Sequence, residues 1–341
     1  MTDTHTAEHK KPGFLEDVMD NPAGLPVAGH LMAITLLLAV IFAVGYSPKI
    51  FALLKNADVP TMNAPSSISS TTAPSFPDYT IASLDDVSIT GEAAFVWDVR
   101  NQRTLYEKNP DEQLPLASIA KLMTSLLAHE LIAADTNVDI SLSAIYQDGE
   151  SGLITGETFS LETLMDMMLL SSSNDGAFAI ANVAGAKLDE DNAVNAFVKA
   201  MNIRAAELGL VQTYYRNPTG LDISTSEAGA YGSARDTAFL LTYILQNHPE
   251  LLEQTTVEEA TFYNQDGAYH RSYNTNQYVE SVPNLIGSKT GYTTLAGGNL
   301  AVAFDASLNR PVVIVVLGST FDGRFADIAT LTEAVQMAMV N

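Results

Sequence analysis

The hydrophobic pattern divides the chain into three stretches. Between Asn21 and Pro48 there is no Asp, Glu, Lys or Arg, and Leu31 to Tyr46 (LMAITLLLAVIFAVGY) is almost wholly apolar. With Leu25, Val27 and Ala28 the run reaches about the 20 residues that a bilayer-spanning helix requires. It predicts a transmembrane signal-anchor helix over 25–48, behind a short tail at 1–24. A buried core helix and a cleaved signal peptide are the alternatives. Some thirty residues precede the run, which is long for a signal's leading region. Residues 49–78 follow, rich in Pro, Ser, Thr and Ala with no apolar period, and read as a flexible tether.

From Tyr79 both structural periods occur. Residues 91–109 (GEAAFVWDVRNQRTLYEKN) alternate as two strands around an Asn-containing turn. Apolar residues recur at helical spacing in 118–132, 161–185, 193–210, 237–247 and 327–340, and 299–319 reads as two more strands. Strands at both ends with helices between predict one α/β domain over 79–341, its sheet assembled from distant segments.

Composition narrows the function. The chain has 341 residues, no cysteine, and a formal charge of −23, of which −20 falls from Tyr79 onward. The absence of thiols excludes a disulfide framework, a cysteine nucleophile and thiolate metal sites. A strongly acidic surface repels phosphate backbones, so a nucleic-acid partner is not expected. An anionic substrate would need a local positive spot, which makes the few interior basic residues informative.

Three short motifs supply candidate chemistry. Ser118 and Lys121, in PLASIAKLMTS, lie three apart, close enough on one helix face for the hydroxyl to meet the amine. A lysine serves as a base only when burial or a nearby positive charge lowers its pKa. Alone, the pair also reads as an N-cap serine and a solvated lysine, although of the nine lysines only Lys121 has Ser three residues before it. Lys289-Thr290-Gly291 suits the start of an edge strand that binds a carboxylate, the glycine letting a ligand approach the backbone; a plain turn is the alternative. Ser172-Ser173-Asn174 interrupts two apolar helical runs, which suits polar groups facing a cleft and equally an interhelical turn. Ser-x-Asn recurs at Ser272/Asn274 and Ser307/Asn309.

In this order, and with Ser173 in place of Asp, the three motifs correspond to the Ser-x-x-Lys, Ser-Asp-Asn and Lys-Thr-Gly set of penicillin-binding proteins and class A β-lactamases. The sequence closely resembles the serine D-alanyl-D-alanine carboxypeptidases among the low-molecular-mass penicillin-binding proteins. The likeness extends from about Tyr79 to Arg324 and includes Asn217-Pro-Thr-Gly-Leu-Asp222, Ser233-Ala-Arg-Asp236 and VVIVVLGSTFDGR (312–324). It implies a β-lactamase/penicillin-binding-protein fold, an antiparallel sheet covered by helices, here preceded by the N-terminal transmembrane helix. It also implies that Ser118 is the nucleophile and Lys121 its base, kept neutral partly by Lys289. Ser172 would relay a proton and Asn174 orient Lys121 and the substrate amide. The N–H groups of Ser118 and Tyr292 would form an oxyanion hole, while Lys289, Thr290, Gly291 and Arg324 bind the substrate's terminal carboxylate. Partners so implied are peptidoglycan stem peptides ending in D-Ala-D-Ala, β-lactam antibiotics as covalent inhibitors, and a membrane reached through the N-terminal helix. No metal or cofactor is expected. Lys10 and Lys11 before that helix balance Lys49 and Lys55 after it, so charge leaves its orientation undecided. The implied function sets the catalytic domain on the cell-wall side of a single-pass anchor.

Two features depart from close relatives of the motif set. Ser173 stands where β-lactamases carry Asp, a small residue as in the peptidases. The chain also ends soon after Arg324, where many members continue into a β-rich domain. An endopeptidase acting on cross-links would use the same residues. A β-lactamase would need a deacylating Glu, and neither Glu190 nor Glu207 has the expected Glu-x-x-x-Asn setting. A non-catalytic sensor would not need the intact set. No Gly-x-Ser-x-Gly occurs, and His5, His9, His30, His129, His248 and His270 adjoin no motif, so they read as surface or structural. His129-Glu130 lacks the second histidine of a zinc-binding helix pair.

Overall fold

Two-residue alternation builds the centre of the molecule. In Ala93–Asp98 (β1), Ala93 and Phe95 enter one apolar layer while Ala94 and Val96 enter another. The computed structural model describes Leu84 and residues 87–149 and 151–340. After β1 come Arg103–Lys108 (β2), Leu114–Pro115 (β3), a 3₁₀ turn at Ala117–Ala120 and the helix Lys121–Leu131 (α1). Then follow Asn137–Asp139 (β4), Leu142–Ile145 (α2), Thr158–Ser160 (β5), Leu161–Ser171 (α3), Asn174–Gly185 (α4) and Ala193–Glu207 (α5). Next are Tyr214–Tyr215 (β6), Ala230–Gly232 (β7), Ala234–Asn247 (α6) and a 3₁₀ segment at Pro249–Thr256. The hairpin Glu259–Tyr263 (β8) and Tyr269–Tyr273 (β9) precedes three long strands, Leu285–Thr293 (β10), Gly297–Asp305 (β11) and Pro311–Ser319 (β12). The last element is Gly323–Val340 (α7).

The main sheet runs β10-β11-β12-β1-β2, with every neighbouring pair antiparallel. Its inner strands are buried on both faces. Ala301, Ala303, Val313, Val315 and Leu317 join the layer that contains α1, α3 and α4. Leu300, Val302, Phe304, Val312, Ile314 and Val316 meet Phe325, Ile328, Leu331 and Val335 of α7. An antiparallel sheet with one wet face would alternate apolar and polar residues. Coverage on both sides explains the unbroken VVIVVL of β12. Each fully buried aliphatic side chain contributes about 1.5–3 kcal/mol, so this layer pins β10 at one edge.

The 161–185 run breaks into two helices for a local reason. Ser172 adopts a left-handed conformation (φ 61°) and ends α3, and Ser173 caps α4 by accepting from Gly176 N at 2.9 Å.

One expectation is corrected. Among the described residues no helix is long and apolar enough to cross a membrane. The longest, α7, has 18 residues and carries Arg324, Asp327 and Glu333. The segment 25–48, like the tail 1–24 and the tether 49–78, lies outside the described residues. The absence of such a helix among the described residues contradicts the expected N-terminal transmembrane helix and, with it, the expected single-pass anchor on the cell-wall side.

Candidate active site

Ser118 stands in the 3₁₀ turn and Lys121 is the first residue of α1. A 3₁₀ turn has three residues, so positions i and i+3 eclipse and the pair still shares a face. Lys121 Nζ lies 2.8 Å from Ser118 Oγ. The capping alternative fails, since Ala120 is the N-cap of α1 and no side chain caps that end.

Lys121 is 0% exposed. Its Nζ also donates to Asn174 Oδ1 at 2.7 Å and to Thr219 O at 2.9 Å. Burial first, and then the charge of Lys289, hold its pKa well below the ordinary lysine value. Asn174 Oδ1 and Thr219 O can only accept, whereas the Ser118 hydroxyl can accept from Nζ or, once burial has made the amine neutral, donate to its lone pair.

The turn that presents Ser118 is strained and held. Ala117 has φ 49°, a left-handed conformation that costs a non-glycine residue of order 1–3 kcal/mol. Two glycines permit it. A Cβ on Gly220 would come within 1.8 Å of Ala117 O, and one on Gly291 within 2.7 Å of Leu116 O. Gly291 thus lets β10 close against the turn, a steric role that the sequence reading did not assign. Asn299, buried in β11, ties the same turn to the sheet, donating to Pro115 O at 2.9 Å and accepting from Gly318 N at 2.8 Å.

Asn217 organises the loop below Lys121. Its Oδ1 accepts from Gly220 N, Thr219 Oγ1 and Thr219 N at 2.7, 3.0 and 3.2 Å, and its Nδ2 donates to Leu221 O at 2.9 Å. These bonds aim the Thr219 carbonyl at Lys121. The stretch stands out in the sequence as part of the resemblance, but nothing in it reveals that a backbone oxygen is the working group.

The opposite wall is β10. Lys289 is the fifth of its nine residues rather than the start of a strand, and β10 is an edge strand as expected. Its side chain is 1% exposed, and Nζ donates to Ser172 Oγ at 2.9 Å and Thr290 O at 3.1 Å. Burial, then Arg324, lowers its pKa to about 7. Thr290 Oγ1 shares a 2.6 Å hydrogen bond with Thr275 Oγ1, a partner missed in the sequence because Thr275 lies in the loop after β9. The α3–α4 break therefore serves both walls: Ser172 reaches Lys289, and Asn174 reaches Lys121 while donating to Asp148 O.

Arg324 lies behind the strand. It is 3% exposed, donates from Nη1 to Gly291 O at 2.8 Å, and packs 4.6 Å from the rings of Phe321 and Phe325. Burial lowers its pKa to about 10 against the opposing effects of Asp322 and Tyr292. A trans peptide directs its C=O and N–H to opposite sides. Holding Gly291 O therefore fixes the direction of the Tyr292 N–H. The Tyr292 ring is 52% exposed, edge-on to Phe321 at 5.1 Å.

The two other Ser-x-Asn pairs lie elsewhere. Asn274 donates to Thr255 O and Val257 O beside the β8–β9 hairpin, and Ser307 and Asn309 donate backbone N–H groups to Asp305 in the β11–β12 turn.

Known proteins carry the same arrangement of chain. A family model described as D-alanyl-D-alanine carboxypeptidase, Peptidase_S11, matches residues 79–320. The D-alanyl-D-alanine carboxypeptidase DacF of Bacillus subtilis is 31% identical over 237 residues, 68% of this chain and 58% of that protein. A D-alanyl-D-alanine endopeptidase of Pseudomonas aeruginosa is 33% identical over 247 residues, 70% of this chain and 74% of its own length. Among solved structures, penicillin-binding protein D2 of Listeria monocytogenes in its ampicillin-bound form superposes with a TM-score of 0.60 at 30% identity. That match covers 73% of this chain and 98% of that one.

Proposed function

This chain belongs to the D-alanyl-D-alanine carboxypeptidase family, peptidase S11, and from that premise we propose that it removes the terminal D-alanine of peptidoglycan stem peptides through a serine acyl-enzyme. Ser118 Oγ attacks the carbonyl carbon of the penultimate D-alanine while its proton passes to Lys121 Nζ. The oxygen of the tetrahedral intermediate takes up negative charge opposite the N–H groups of Ser118 and Tyr292, the latter aimed by Arg324. Collapse breaks the C–N bond, and a proton relayed from Lys121 through Ser172 leaves with the D-alanine amine. Water then hydrolyses the ester and restores Ser118. Lys289 and Thr290 hold the terminal carboxylate, and Arg324 supports them from behind. A β-lactam places its own carboxylate and strained amide in the same positions and acylates Ser118.

The observation that carries this reading is the partner set of Lys121, a fully buried amine with two obligate acceptors and one hydroxyl. Labelling the full chain with a fluorescent penicillin tests it. Stable labelling that Ser118→Ala abolishes supports the reading; a folded chain that takes no label contradicts it. A second reading, cleavage of D-Ala cross-links, is favoured by the Pseudomonas relative, which bears the name of an endopeptidase. Incubation with cross-linked muropeptides separates the two, since one activity releases free D-alanine and the other a stem peptide.

A further inference from the structure

The histidines adjoin no sequence motif, yet the fold gathers two of them. His129 lies in the last turn of α1 and His248 is the C-cap residue of α6. Glu250 follows in the 3₁₀ segment, behind Pro249. The helix-pair zinc signature fails at His129 because its partner histidine arrives from a different helix, far along the chain.

The three side chains converge on one point. Glu250 Oε1 lies 3.5 Å from His129 Nε2 and 3.6 Å from His248 Nδ1. One ligand atom from each residue lies within 4.8 Å of the others. The imidazole rings are 4.8 Å apart, edge to face. These spacings are too long for a charge-assisted hydrogen bond, which closes to about 2.7–2.9 Å. The two carboxylate–imidazole spacings lie close to the ligand-to-ligand edge of a tetrahedral metal site, about 3.3–3.4 Å for bonds of 2.0–2.1 Å, and an ion would draw the two imidazole nitrogens together from a separation of up to 4.8 Å.

The surroundings favour a cation. His129 and Glu250 also line a cavity of about 170 Å³ whose other walls include Glu162, Asp166 and Glu253, with no lysine or arginine among the lining residues. Four carboxylates around one cavity, in a chain of net charge −23, concentrate divalent cations there.

We propose that His129, His248 and Glu250 form a binding site for a borderline divalent transition metal of the zinc class, the two imidazoles and one carboxylate leaving a fourth position for solvent. Two imidazoles with a carboxylate select this class over magnesium or calcium, which take oxygen ligands. The site lies apart from Ser118 and its role is structural. It clips the C-terminal end of α1, whose first residue is Lys121, to the corner between α6 and the 3₁₀ segment. That segment in turn supports β10, because Ser288 N donates to Thr255 Oγ1 at 3.0 Å and Ser288 Oγ to Thr255 O at 3.2 Å. A bound ion would brace the two walls of the active site against one another. The proposal does not depend on the reaction assigned to Ser118.

Calorimetric titration of the chelator-stripped full chain with zinc chloride tests it. The expected result is one zinc ion per chain with micromolar or tighter affinity. His129→Ala and His248→Ala should each weaken it about 100-fold, on the scale of losing a ligand or its support, and Glu250→Gln at least 10-fold. Zinc should raise the Tm of the parent chain by several degrees and leave that of His129→Ala/His248→Ala unmoved. Unaltered penicillin labelling and metal-free Tm in the variants show that they fold. The proposal is overturned if the parent binds zinc no tighter than millimolar. It is equally overturned if the double variant binds as tightly as the parent, which would assign the ion to other histidines such as His5, His9 or His270.

Discussion

The two walls of the active site each bury a lysine, and the difference between them explains how one cleft holds both a base and a cation. Lys121 meets Asn174 Oδ1 and Thr219 O, which can only accept, and a hydroxyl that can donate. Burial and the charge of Lys289 favour its neutral form, whose lone pair that hydroxyl can fill. Lys289 meets one hydroxyl and one carbonyl, which leaves a donor for an incoming carboxylate. Its pKa of about 7 rises again when that negative charge arrives. Burial lowers both; the partners decide what each becomes.

The largest effect should come from removing the base. Lys121→Ala is expected to slow acylation by penicillin about 10⁴-fold, the upper range for a positioned general base, with the Tm retained. Lys121→Arg should not restore the rate, because a guanidinium does not give up its proton. Recovery by arginine would show that the position needs charge and not basicity. Stopped-flow labelling measures both.

Lys289→Ala should be milder, about 100-fold in kcat/KM and mainly through KM, with partial rescue by Lys289→Arg. The pH profile sharpens the comparison. Positive charge on Lys289 helps to depress the pKa of Lys121, so without it Lys121 keeps its proton to a higher pH. The acidic limb of the acylation profile should therefore move to higher pH. A limb that stays in place would mean that the two lysines are uncoupled.

Asn217→Ala tests whether the Lys121 wall depends on the loop beneath it. Four part-buried hydrogen bonds are lost, and about 2–3 kcal/mol of stability should go with them, once the unsatisfied backbone groups are counted. Thermal unfolding measures the loss. The smallest effect is a protonic one. At pH 8 a group with a pKa near 7 is about 90% deprotonated, so binding a D-Ala-D-Ala peptide to Ser118→Ala should take up about 0.9 proton at Lys289. Calorimetry in buffers of different ionisation enthalpy reads this directly.

Much of this is legible in the amino-acid sequence. The alternation in 91–109 and 299–319 corresponds to β1, β2, β11 and β12, and each of the three motifs lines the cleft. What the sequence hid was conformational or remote. The 3₁₀ geometry under Ser118 and the left-handed Ala117 depend on glycines 220 and 291, more than a hundred residues away. The Thr219 carbonyl carries no side-chain signal. The β8–β9 hairpin carries little sequence signal because only Phe262 and Ser272 of its ten residues are buried, too few to impose an apolar period. His129 and His248 meet only through the packing of two helix ends.

The most direct test of the account is the protonation state of Lys121 in the unliganded enzyme. Selective ¹⁵N labelling of lysine, with the Nζ signal assigned by its loss in Lys121→Arg, reports it by NMR across a pH titration. The account predicts a neutral amine at pH 7.5. An ammonium signal at that pH, persisting above pH 9, would contradict the reading of Lys121 as the base.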